Sequence, residues 1–274
     1  MKPWRELPPT DEFGDFNSNS PNAELEVEFF HLHARPARLA RILVLGCSDL
    51  GALAALAGRR SYYITAADES DRRLEAARRL ARARGLAITY VKIAQQHCPL
   101  TDESFDAVAV FGDSLARPND CGEVPALLAE AKRLLRPAGT LVLSVADGDW
   151  TRRHFPPDDV EMLPHGFIYR RSELSDDGDW LITHEFIASQ DLGVAMKRVS
   201  VEKLLGAGQI LETLNRAGFE AISFCKRARR QAVTPFPTAP RPPLLCFSCR
   251  TSSRQTGLPR LQLVKDKRQG RMAS

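Results

Sequence analysis

A chain of 274 residues, 43% hydrophobic and 26% charged, has the size and composition of one large globular domain or a domain with an appendage. It contains no apolar run of the ~20 residues that a spanning helix needs, and its opening Met1-Lys-Pro-Trp-Arg has no signal core, so a cytoplasmic location without a membrane partner is expected. The net charge of +4 is uneven, with +11 on residues 226–274 and −7 on residues 1–225. The basic end is read as a solvated, disordered tail over 251–274, because no aromatics interleave its charges; nucleic acid is its other candidate partner.

Residues 1–23, rich in Pro, Asn and Ser, read as an irregular segment, and 23–34 as a helix with apolar residues at 25, 27, 29, 30 and 32. From residue 41 strands and helices alternate. Strands are expected at 42–45, 62–67, 87–93, 106–111 and 140–145. Helices are expected at 51–58, 71–83 and 124–135, the second stopped by Gly85 and the third by Arg136-Pro137. This alternation predicts an α/β fold, a doubly wound, Rossmann-like, mostly parallel seven-stranded sheet. After Asp147 the pattern changes to three strands at 167–173, 181–188 and 195–201, an antiparallel insert within 148–205. A helix at 207–217 and strands at 219–225 and 244–249 complete a domain over 24–250.

The chemistry concentrates in Ile42-Leu-Val-Leu-Gly-Cys-Ser-Asp-Leu-Gly51, a strand–turn–helix of the kind that holds a nucleotide-type cofactor at a helix N-terminus. Leu45, Gly46, Cys47, Ser48, Asp49 and Gly51 are its candidate lining. Asp68, at the end of the second strand with Glu69 beside it, suits the hydroxyls of a ribose; its competing role is to cap the helix at 71–83. Cysteines at 47, 98, 121, 225, 246 and 249 do not form a disulfide framework. Cys246-Phe-Ser-Cys249 has no second pair at zinc-site spacing and reads as buried thiols in a strand, so no metal is expected.

The order of these parts resembles the class I S-adenosylmethionine-dependent methyltransferases. The resemblance rests on Ile42 to Gly51, on Ala66-Ala-Asp-Glu-Ser70, on Asp102-Glu-Ser-Phe-Asp-Ala-Val108, on the run Leu128 to Ser144 with its Arg-Pro-Ala-Gly turn, and on Leu214-Asn-Arg-Ala-Gly-Phe219. It implies S-adenosyl-L-methionine as cofactor and adds Phe111, Ala94 and Gln95 to the cofactor site. Phe111-Gly-Asp113 and Asp149-Trp-Thr-Arg-Arg-His-Phe155 are similar to a bacterial subgroup acting on small molecules, whose insert covers the acceptor pocket. Methyl transfer needs alignment more than a dedicated catalytic group; Asp113, His154 and Tyr169 are the candidate bases for a protonated acceptor. The chain departs from the family at Val44, where the family has a first-strand acid, at Leu50 in place of a glycine, and at Ala94 in place of a third-strand acid. Those departures leave open a binding protein that has lost the cofactor, and the basic C-terminus leaves open an RNA methyltransferase.

Overall fold

The computed structural model describes residues 22–47, 49–59, 62–93, 98–112, 114–116, 124–163, 166–189, 194–228, 241–252 and 262–263. Helix α1 (Ala23–Ala34) carries Glu24 and Glu26 in its first turn, a sign that suits the helix dipole, while His31 and His33 in its last turn have their pKa lowered, chiefly by burial. Strand β1 (Arg41–Leu45) leads through Gly46 into α2 (Leu50–Ala57), capped by Asp49, whose Oδ1 accepts from the Ala52 amide at 2.8 Å. Strand β2 (Tyr63–Asp68) leads into α3 (Asp71–Arg84), β3 (Ile88–Lys92) and β4 (Phe105–Val110). The cap of α3 is Ser70, whose hydroxyl accepts from the Arg73 amide, and Gly85 closes the helix at φ 62°. Asp68 is therefore not needed as the cap.

Helix α4 (Val124–Leu134) runs directly into β5 (Leu135–Ala146), which begins five residues earlier than the sequence predicts. The Arg-Pro-Ala-Gly turn is a distortion of the strand, with Ala138 at φ 61° and a shift in the β4–β5 register. A short helix the sequence reading missed, α5 (Gly148–His154), follows. The insert has four strands, not three: β6 (Asp158–Leu163), β7 (Gly166–Leu174), β8 (Trp180–Ser189) and β9 (Val194–Lys203) pair antiparallel in that order. Strand β6 escapes a hydrophobic reading because Asp159 and Glu161 alternate with Val160 and Met162, and the apolar members face outward. Helix α6 (Ala207–Arg216), β10 (Glu220–Arg227) and β11 (Leu244–Arg250) follow, and Gln262–Leu263 pairs with β10 as an added edge strand, β12.

The large sheet has the order β12-β10-β11-β5-β4-β1-β2-β3, with β1 to β5 parallel and β11 antiparallel to β5. Alternation along β1 sends Leu43 and Leu45 into the core beneath α4 and α6, and Ile42 and Val44 into the core shared with α1, α2 and α3. The same alternation sends Cys246 and Cys249 to opposite faces, so the two thiols of that motif cannot share a ligand. Strand order reverses between β1 and β4, which places a crevice over their carboxyl ends.

Candidate functional site

The crevice is built by three turns. After β1, Gly46 takes φ 84°, a conformation that favours glycine, and its amide bonds the Ala67 carbonyl at 2.8 Å. A Cβ at Gly46 would overlap Ser114, so the turn after β4 rests directly on the glycine.

The third turn ends β2. Asp68 is almost fully buried, and its carboxylate faces the glycine turn: Oδ2 accepts from the Cys47 amide at 2.6 Å, while Oδ1 accepts from the Ser70 amide and from Arg73 Nε, each at 2.8 Å. Arg73 also reaches Glu69 at 3.4 Å. This ring of donors holds a charge where desolvation would otherwise oppose it. Burial and then the Asp68 charge push the Cys47 thiol well above the ordinary cysteine range, so Cys47 is a packed thiol, not a nucleophile. Leu45 is buried in the core, and Gly51 is buried within α2. Leu50 is buried in the core shared by α1, α2 and α3. Phe111 is buried against Phe30 of α1, ring edge to face at 6.3 Å.

Among the other candidates, Ser48, Ala94, Gln95 and Asp113 lie outside the described residues. His154 ends α5 with its ring exposed and stacked on Trp150 at 4.6 Å, and its Nδ1 lies 2.8 Å from the Trp150 carbonyl oxygen. Tyr169 of β7 donates its hydroxyl to Asp158, and that bond with Asp158 raises its pKa. The structure thus brings Gly46, Cys47, Asp68 and Ser114 together, and sets neither His154 nor Tyr169 in that group. Arg73, Ser114 and Glu26 were missed. Arg73 follows Asp68 by five residues, placing it on the first turn of the helix that Asp68 introduces, a signal available in the sequence.

The family described as a methyltransferase domain matches residues 42–139, the stretch that contains all three turns. That stretch of the chain is similar to a methyltransferase domain. The methyltransferase CcbJ from Streptomyces caelestis shares the fold at a TM-score of 0.65 and 17% identity, over 91% of this chain and 94% of that one. An S-adenosylmethionine-dependent methyltransferase from Clostridium acetobutylicum matches at 0.64 and 13%, over 85% and 91% of the two chains. The sugar N-methyltransferase KedS8 from Streptoalloteichus matches at 0.58 and 21%, over 86% and 89%. No curated protein matches the sequence.

Proposed function

We propose that this methyltransferase domain transfers a methyl group from S-adenosylmethionine to a small organic acceptor by in-line displacement, with the antiparallel sheet as a wall of the acceptor site. The observation that carries this reading is Asp68, which ties the end of β2 to the Cys47 amide of the glycine turn. A carboxylate at that place is an acceptor for the paired hydroxyls of a ribose. In the ligand-free protein Arg73 neutralises it, and Glu69 gives Arg73 a second partner when hydroxyls claim Oδ1. The glycine turn and the Asp68 carboxylate facing it suit the ribose of an adenosine. The small-molecule acceptor draws support from KedS8, whose name gives a sugar as its substrate.

When bound, the cofactor supplies an activated methyl and a good leaving group. The chain supplies alignment and exclusion of water. The turn carrying Ser114 closes on Gly46 from one side, while the insert is tied to α5 by Arg152, which bonds the carbonyls of Gly178 at 2.9 Å and Leu204 at 2.7 Å. Asp113, between Gly112 and Ser114, is our preferred base for a protonated amine or hydroxyl acceptor, with His154 and Tyr169 as the other two.

Ser114 against Gly46, with Asp68 fully engaged, also favours a second reading, a binding protein of the same fold without methyl transfer. Calorimetry with S-adenosylhomocysteine separates them. The wild-type protein is expected to bind, and Asp68→Asn to weaken binding by about tenfold or more, the effect of removing a charged hydrogen bond. Folded wild-type protein that gives no heat at millimolar ligand overturns the enzyme reading.

A further inference from the structure

The family's first-strand acid is Val44 here, buried in the core. Register locates what stands in its place. Val44 pairs with Ala109 of β4, and Ala109 with Val142 of β5. Two residues on, the next row on the same face toward the carboxyl edge is Gly46, Phe111 and Ser144, which borders the crevice. A carboxylate reaches this row from outside the sheet. Glu26 of α1, 2% exposed, accepts from the Gly112 amide at 3.0 Å and from the Ser144 hydroxyl through the same Oε1. One turn along, Phe30 of the same helix packs its ring against Phe111. Helix α1 thus holds the turn after β4 at two points, one polar and one apolar, while resting on α2, β5 and β11.

We propose that Glu26 is a positioning residue of the cofactor site: its buried carboxylate, delivered by α1, fixes the Phe111–Gly112 turn that leads into Asp113 and Ser114, filling the place left by the missing first-strand acid. This rests on the cofactor reading above. The burial cost of the carboxylate is offset here by the Gly112 amide of the turn it orders and by the Ser144 hydroxyl of β5, so the acid and the turn stabilise one another. Loosening Gly112 frees the segment that presses on Gly46, and the crevice loses its preformed wall.

The test compares Glu26→Ala, Glu26→Gln and Glu26→Asp in the full chain. Two readouts are taken: S-adenosylhomocysteine affinity by calorimetry, and exchange of the Gly112 amide in ligand-free protein. Glu26→Ala is expected to weaken binding by about tenfold or more and to speed Gly112 exchange, while Glu26→Gln, whose amide oxygen still accepts from Gly112, stays within about threefold of wild type. If Glu26→Ala does not fold, Glu26→Asp decides, because its shorter side chain withdraws the acceptor and is expected to weaken binding in the same direction. Affinity within twofold of wild type in a folded Ala or Asp variant overturns the proposal. A wild-type protein that binds no S-adenosylhomocysteine overturns the cofactor reading instead; in that case Gly112 exchange unchanged by the substitution overturns the positioning role as well.

Discussion

The two sheets of this protein are held by different forces. The interior rows of the large sheet are Leu, Val, Ile and Ala, packed in two apolar layers. The small sheet carries a row of charge across its strands: Asp159, Arg170 and Glu185 lie directly opposite one another on β6, β7 and β8. Arg170 bonds Glu185 and Glu161, each at 2.8 Å, and Asp159 at 3.4 Å, while its other face exposes Val160, Met162 and Phe167 at 46%, 41% and 37%. Apolar packing is non-directional and indifferent to pH, whereas an ion-pair row fixes register and depends on protonation. The body that carries the crevice is therefore the rigid part, and the insert is the part whose stability solution conditions tune.

Removing Arg170 breaks the comparison most severely. Arg170→Ala takes a shared cation from Asp159, Glu161 and Glu185, of which Glu185 is nearly buried and Glu161 keeps Arg241. Loss of one partner from a buried pair costs about 3 kcal/mol or more. Hydrogen exchange is expected to show β6, β7 and β8 opening while β1, β4 and β5 keep their protection. Equal losses in both sheets would mean that the sheets unfold as one unit, and the division would fall.

A smaller effect is expected in the large sheet, where packing geometry replaces charge. Gly46→Ala forces a side chain into φ 84° and against Ser114. The backbone strain alone costs about 1–2 kcal/mol, and the displaced Ser114 turn is expected to weaken S-adenosylhomocysteine binding. Gly85→Ala is the control: it has similar strain at φ 62° but open space around it, so melting temperature falls while binding holds. Equal binding by both variants would show that contact between the two turns is immaterial to the site.

How legible these regions were follows from the same difference. Strands β1 to β4 are short apolar runs punctuated by Gly, Asp and Ser, so periodicity and caps located each to within a residue or two. The place of Asp68 against the glycine turn was legible because it ends the second strand, and the Ser70 cap takes over the competing role the sequence offered for it. Strand β6 was hidden because its inward face is charged and its outward face apolar, the reverse of the usual pattern. Glu26 was hidden for a related reason. It interrupts the apolar face formed by Ala23, Val27 and Phe30, and nothing local announces a Gly112 amide 86 residues away. Helix α5 is seven residues, too short for periodicity to register.

Acid gives the mildest probe of the two sheets. Burial alone would raise the pKa of Glu161, but the charges and hydrogen bonds of Arg170 and Arg241 outweigh it and hold the carboxyl below the usual 4.5 of a glutamate. A carboxyl depressed on folding contributes stability that is full above its unfolded value and is lost as pH falls through the folded one. Stability of the small sheet should therefore be flat near neutrality and fall once the pH drops below the usual 4.5. Following the exchange protection of the Ile168 and Ile187 amides from about pH 6 to about pH 3.5 tests this, with the β4–β5 amides as reference. The small-sheet amides should lose protection at higher pH than the reference, and added salt should move their loss in the same direction by screening the pairs that Arg170 makes. If both sets lose protection in step, the charge row does not govern the insert, and its stability must come from Ile168 and Ile187 packing against the rest of the chain.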